Sequence, residues 1–179
     1  AVERARVAGL RTNQAREPFG VTGAPTFSWR MEGNAPGLAQ RAYRLSLFER
    51  GTEKPEWDSG EVASAESLGV RYAGPALKSA THYRWEVRVR TNGGEWLAPA
   101  EAAFSTGLLE RDPWKDAKFV TVAAKRGDAE PDTTVVVKTL VNEKEVREAW
   151  WFVSAMGVGE FYLNGAEVGA AEKLKPGYT

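Results

Sequence analysis

Carboxylates offer the first candidates for chemistry in this sequence. Asp58 and Glu61 flank a turn in Trp57-Asp58-Ser59-Gly60-Glu61. A catalytic acid needs burial to raise its pKa, and its partner must stay ionised. Asp58 followed by Ser59-Gly60 is better read as shaping the turn through hydrogen bonds to its own backbone. Asp128, Glu130 and Asp132 share a loop and suggest hard oxygen ligands. Calcium takes six to eight oxygens in total, the spacing lacks an EF-hand pattern, and Pro131 limits how the three converge. Glu143, Glu145 and Glu148 alternate with Lys144 and Arg147, the pattern of a solvated, self-paired surface. His82 is the single histidine and there is no cysteine. Thiol catalysis, disulfides and Cys-based zinc sites are therefore excluded, and His82, just before Tyr83, reads as a strand-edge residue. The sequence assigns no catalytic, metal-binding or cofactor-binding residue.

Exposed aromatic rings are the second candidates, because sugar C–H faces stack on them. Trp29, Trp85 and Phe104 lie in alternating segments and are expected in a core. Trp57, Trp96 and Trp114 lie near turns, where they can cover a sandwich end or a domain junction. Trp150 and Trp151 are adjacent, so a strand points them to opposite faces. At least one then leaves its own core unless something packs over it. Trp150, Trp151 and Trp114 are accordingly the candidate sugar or interdomain contacts, with cover by another part of a parent protein favoured over a sugar platform.

The elements that hold these residues read as short strands. The chain has 179 residues, 42% of them hydrophobic, with seven Trp, seven Phe and five Tyr, enough to build a core rather than remain disordered. Strands are expected at Arg6–Arg11, Thr26–Met31, Tyr43–Phe48, Leu68–Tyr72, Tyr83–Arg90 and Ala102–Thr106. Tyr43-Arg44-Leu45-Ser46-Leu47 and Trp85-Glu86-Val87-Arg88-Val89-Arg90 alternate apolar and polar, placing one face on a core and the other in water. Pro18-Phe19-Gly20, Gly33-Asn34-Ala35-Pro36-Gly37 and Gly74-Pro75 punctuate turns, and Asn92-Gly93-Gly94 signals a hairpin. Strands at this spacing suggest a sandwich of about seven. Tyr83, six residues after Leu77 and opening a Tyr-x-Trp-x-Val-x-Val strand, fits a tyrosine corner.

A boundary follows at Gly107–Pro113. Beyond it Lys118–Ala123, Thr133–Val141 and Ala149–Ala155 read as strands from their β-branched and aromatic content, and Asn164-Gly165 as a second two-residue hairpin turn. Glu143–Glu148 is read as a loop. The two halves do not repeat each other, so two different β modules are expected, and the protein is all-β. The second module reads as unfinished, because a sandwich of about 70 residues with perhaps five strands leaves an open core or an unpaired edge.

Positive and negative side chains number 24 each and interleave along the chain. No basic excess is available to neutralise phosphates, which argues against nucleic acid and anionic membrane surfaces as partners. The apolar runs are far shorter than the roughly 18–20 residues that span a bilayer. Ala1-Val2-Glu3-Arg4 does not open a signal peptide, and the compartment stays open between cytoplasm and export.

Three ordered stretches resemble the bacterial α-L-rhamnosidase family. The first runs through Gly9-Leu10-Arg11-Thr12, Glu17-Pro18-Phe19-Gly20-Val21, Pro25-Thr26-Phe27-Ser28-Trp29 and Gln40-Arg41-Ala42-Tyr43-Arg44-Leu45. The second joins Trp57-Asp58-Ser59-Gly60-Glu61-Val62 and Tyr72-Ala73-Gly74-Pro75-Ala76-Leu77. It continues through Tyr83-Arg84-Trp85-Glu86-Val87-Arg88-Val89 to Phe104-Ser105-Thr106-Gly107-Leu108-Leu109. The third is Gly157-Val158-Gly159-Glu160-Phe161-Tyr162-Leu163-Asn164-Gly165-Ala166-Glu167-Val168-Gly169, with Leu174-Lys175-Pro176-Gly177-Tyr178-Thr179.

The resemblance implies an immunoglobulin/fibronectin type III-like β-sandwich over 1–109 and the N-terminal part of a jelly-roll-like β-sandwich over 110–179. It also implies a following (α/α)6 catalytic barrel that cleaves terminal α-L-rhamnose with inversion. Inversion takes two carboxyl groups roughly 6.5–9.5 Å apart across the sugar, and no position here matches the barrel motifs. The expected role is a non-catalytic accessory region, inactive alone and needing no cofactor of its own. Its expected partners are the rest of the parent enzyme and rhamnose-containing glycans. A carbohydrate-binding module and a fibronectin-like adhesion module are the alternatives.

Overall fold

The computed structural model describes residues 5–109, 114, 116–120, 135–146, 149–155 and 159–168. The chain divides into two compact units, Ala1–Phe119 and Val120–Thr179. Every named element among the described residues is a strand, so the protein is all-β, as its alternating patterns predict.

Among its described residues the first unit holds seven strands: β1 (Arg6–Thr12), β2 (Thr26–Glu32), β3 (Gln40–Glu49), β4 (Trp57–Asp58), β5 (Val70–Arg71), β6 (His82–Thr91) and β7 (Ala100–Ser105). They form a three-stranded sheet in the order β1-β2-β5 and a four-stranded sheet in the order β4-β3-β6-β7. In an immunoglobulin constant domain the fourth strand extends the sheet of the first two. Here β4 joins β3 on the opposite sheet, the arrangement of a fibronectin type III-like sandwich. The strands predicted from alternation all appear, longer than expected at β3 and β6 and shorter at β5. Only β4 lies outside the prediction, because two residues are too few to show a period.

Alternation fixes the register. Along β6, Tyr83, Trp85, Val87 and Val89 are buried between the sheets, and their neighbours Arg84, Glu86, Arg88 and Arg90 face out. Opposite them on β3, Leu47, Leu45 and Tyr43 pair with Trp85, Val87 and Val89. Phe27 and Trp29 of β2 close the core from the other sheet. The Phe27 ring centroid lies 4.5 Å from that of Trp85 and 6.2 Å from that of Phe104. Trp29, Trp85 and Phe104 are thus core residues, as expected.

Buried polar atoms in this core are paired. The Trp85 Nε1–H donates to Thr12 Oγ1 at 3.0 Å, and the Trp29 Nε1–H donates to Gln40 Oε1 at 2.9 Å. Gln40 Nε2 in turn donates to the carbonyls of Ser64 and Glu66. The tyrosine corner is present: the Lys78 backbone N–H donates to the Tyr83 hydroxyl at 2.9 Å. Thr106 locks the same corner, its hydroxyl donating to the Lys78 carbonyl at 2.7 Å and accepting from the Thr81 N–H at 2.9 Å.

After β1 the chain changes sheets. Thr12 and Ala15 close a tight turn through Asn13 and Gln14, both at positive φ. The segment around Val21 then runs parallel to the end of β7. Ser105 N–H donates to the Pro18 carbonyl, Val21 N–H to that of Ser105 and Gly107 N–H to that of Val21, at 2.9–3.0 Å. A Cβ on Gly107 would stand 3.3 Å from the Gly20 carbonyl oxygen, so the small residue permits this close crossing.

The second unit contributes a hairpin of β8 (Phe161–Leu163) and β9 (Ala166–Val168). Asn164 and Gly165 turn it at φ 50° and 81°, the left-handed pair that a two-residue hairpin requires. The strands predicted at Thr133–Val141 and Ala149–Ala155 are absent among the described residues. Val135–Val137, Leu140 and Val141 are exposed, Val137 at 83%. Strand propensity measures fit to a pleated neighbour, and no described residue supplies one. Of the strand predicted at Lys118–Ala123, residues 118–120 are described and are not in a strand, and the rest lies outside the described residues.

Candidate functional site

The carboxylates near the Trp57 turn are held by the protein's own cations. Arg44 Nε donates to both oxygens of Asp58, at 2.9 and 3.0 Å. The Ser46 hydroxyl donates to Oδ2 at 2.7 Å and the Gly60 N–H to Oδ1 at 2.8 Å. Burial opposes ionisation of Asp58, yet the hydrogen bonds from Arg44, Ser46 and Gly60 outweigh it and keep the carboxyl below its ordinary range. A proton donor needs the reverse. Glu61 accepts from Arg90 at 2.9 Å. The turn reading of Asp58 therefore holds, with a cross-strand ion pair added that the linear sequence did not show.

A hollow of about 260 Å³ opens beside this turn, lined by Tyr43, Trp57, Asp58, Val62 and Arg71 among others. Trp57 is half-buried there, its ring 4.9 Å edge-on from Tyr72. The carboxylate in its wall is Asp58, already engaged. Nothing here pairs a raised acid with an ionised base.

His82 opens β6, and its Nδ1 is hydrogen-bonded to the Ser105 hydroxyl across to β7, a strand-edge position as predicted. Asp128, Glu130 and Asp132 lie outside the described residues, as do Arg147 and Glu148. Among the described residues no three His, Asp or Glu side chains gather as metal ligands. Glu143, Lys144 and Glu145 are exposed, organised by bonds between the Asn142 side chain and the Lys144 backbone. No ion pair joins these three to one another, and the rest of the predicted pairing, Arg147 and Glu148, lies outside the described residues.

The three candidate tryptophans differ in their settings. Trp114 is half-buried at a turn closed by the Ala117 N–H on its carbonyl. Trp150 is half-buried and packs 6.0 Å from Phe152. Trp151 is 54% exposed and meets the Phe161 ring of β8 edge-on at 5.4 Å. Gly159 leaves room for this pair, since a Cβ there would stand 3.2 Å from the Phe161 ring. The adjacent indoles thus take different aromatic partners. Trp96 follows the Asn92–Gly94 turn, as expected, and bridges back to Arg90 across it, 37% exposed.

The family model of the Rha78A-like, N-terminal immunoglobulin domain matches residues 7–110. The chain belongs to this family. It is 40% identical over 131 residues to an α-L-rhamnosidase of Streptomyces avermitilis, an alignment covering 69% of the chain and 12% of the relative. An α-L-rhamnosidase of Formosa agariphila is 30% identical over 173 residues, covering 82% of the chain and 18% of the relative.

Solved structures agree. The S. avermitilis α-L-rhamnosidase complexed with L-rhamnose superposes with a TM-score of 0.55 at 38% identity, covering 63% of the chain and 11% of that protein. The α-L-rhamnosidase of Dictyoglumus thermophilum gives a TM-score of 0.57 at 25% identity, covering 62% and 13%. The chain therefore spans less than a fifth of the length of these relatives.

Proposed function

We propose that the chain serves as a non-catalytic accessory region of an α-L-rhamnosidase, hydrolysis being performed by a catalytic barrel elsewhere in the parent protein. The observation that carries this reading is the family match over 7–110, in a chain that spans 12% of its S. avermitilis relative. It is supported by Asp58 and Glu61, which are neutralised by Arg44 and Arg90, where inversion needs a separated acid and base. We further read 1–109 as the fibronectin type III-like module and 110–179 as the N-terminal part of a jelly-roll-like one. Trp150, Trp151 and Trp114 then serve as contacts to the rest of the parent.

The test is an aryl α-L-rhamnoside assay, comparing this chain with a longer protein that carries the same region and a barrel. Turnover is expected from the longer protein alone. Hydrolysis by the 179-residue chain at a comparable rate would overturn the division of labour.

A second reading, a rhamnose-binding module, is favoured by the exposed indole of Trp151 beside Phe161. Calorimetry with rhamnose, with and without calcium, decides it: no heat at millimolar sugar removes it.

A further inference from the structure

The outer face of the four-stranded sheet carries an arginine whose charge no described residue answers. Pairing of β3 with β6 sets Arg44 directly opposite Arg88, and like charges so placed repel. Arg44 is neutralised at its own position by Asp58, and Arg90, further along the same face, by Glu61. Arg88 has no carboxylate partner among the described residues. Glu86 shares its face two residues earlier, in register with Ser46 on one side and Glu101 on the other, and its charge is felt at Arg44, but it makes no ion pair with Arg88. The contact Arg88 does make is with Trp96, its guanidinium carbon 6.0 Å from the ring centroid, the outer limit of cation–π attraction. Arg44, Glu61, Arg88 and Trp96 enclose a hollow of about 200 Å³.

We propose that this hollow is a binding subsite for an acidic sugar residue, a uronate within a glycan. Its carboxylate meets Arg88, and the C–H face of its ring lies on Trp96. A guanidinium accepts a carboxylate in a two-pronged geometry, and an anion placed here also relieves the repulsion between Arg88 and Arg44. An indole wall suits a pyranose better than a bare anion, and the free lone pairs of Glu61 can receive a ring hydroxyl. Asp58 and Arg90 fix Arg44 and Glu61 in advance, so little order is lost on binding. The inference stands apart from the hydrolase reading, because it concerns ligand capture by this chain without turnover.

The 179-residue protein is titrated by NMR with methyl glucuronide, with methyl glucoside as the uncharged ring and acetate as the bare anion. Saturable shifts of the Trp96 indole N–H and the Arg88 backbone N–H are expected with the glucuronide. The two controls should bind at least about tenfold more weakly, a difference of about 1.4 kcal/mol. Arg88→Gln and Trp96→Ala should each weaken the glucuronide by a similar factor, and Arg41→Gln, an exposed arginine outside the hollow, should not. Unfolding curves of the variants confirm that they remain folded. An equal response to acetate, an equal response to glucoside, or glucuronide binding unchanged in both variants would each overturn the proposal, as would no shift at millimolar glucuronide.

Discussion

Asp58 accepts hydrogen bonds from three groups of its own sheet and turn, and this explains why a carboxylate beside a hollow is not a catalytic one. Its side chain ties the Ser46 hydroxyl, the Arg44 guanidinium and the Gly60 amide into one turn. Because its pKa is lowered in the folded chain, its stabilisation is complete above the ordinary carboxylate value near 3.9. It is lost as pH falls through the lower folded value. Asp58→Ala should cost about 1 kcal/mol near neutral pH and flatten the acid side of the stability curve. Urea unfolding from pH 7 down to pH 2 measures both effects; a variant curve parallel to the wild type would show that Asp58 does not carry this dependence. The role of Asp58 in the turn was legible from Asp-Ser-Gly, whereas its partner Arg44 was not, since that contact depends on β3 lying beside β4.

Elements were read best where period and turn chemistry agree. The alternation around Trp85 and the Asn164-Gly165 dipeptide each specify geometry within a few residues, and the structure follows both. The crossing of Glu17–Val21 to β7 left no periodic signal, because it is set by partners some 85 residues later. Thr133–Val141 shows the opposite failure: local composition favours a strand, but a strand exists only in a ladder. The corner between β5 and β6 offers a check on how far local bonds hold an element. Thr106 is fully buried, and its hydroxyl serves Lys78 and Thr81 together. Thr106→Val keeps the shape and removes both bonds, so it should destabilise the protein by about 1–3 kcal/mol. Thermal unfolding reads the loss, and a change below a few tenths would mean that water replaces the hydroxyl.

At the scale of the whole molecule, the core is concentrated in one unit. Every buried hydrophobic residue that forms the described core lies between Val7 and Phe104, while Val135–Val137, Leu140 and Val141 of the second unit face solvent. If 1–109 is a module in its own right, a protein ending at Leu109 should unfold cooperatively. Its midpoint should lie within the 4–8 °C of the whole chain's main transition that ~1 kcal/mol represents for a domain of this size. Calorimetry of the two proteins tests it; failure of the shorter one to fold would assign part of the stability to residues beyond Leu109. Charge balance, all-β class and membership of a sandwich were visible in the composition and spacing. The outward placement of Trp96 beside Arg88 was not, because it needs β6 and the residues after the Asn92 turn side by side.

The parallel join between Val21 and Thr106 has a mechanical consequence. Tension applied between Ala5 and Leu109 pulls the Pro18–Val21 segment toward one end of the sandwich and β7 toward the other. The hydrogen bonds of Pro18, Val21, Ser105 and Gly107 then bear the load side by side, in shear, instead of opening one after another like a zip. A module wired in this way should resist stretching up to a threshold and then yield abruptly, because several bonds must break together.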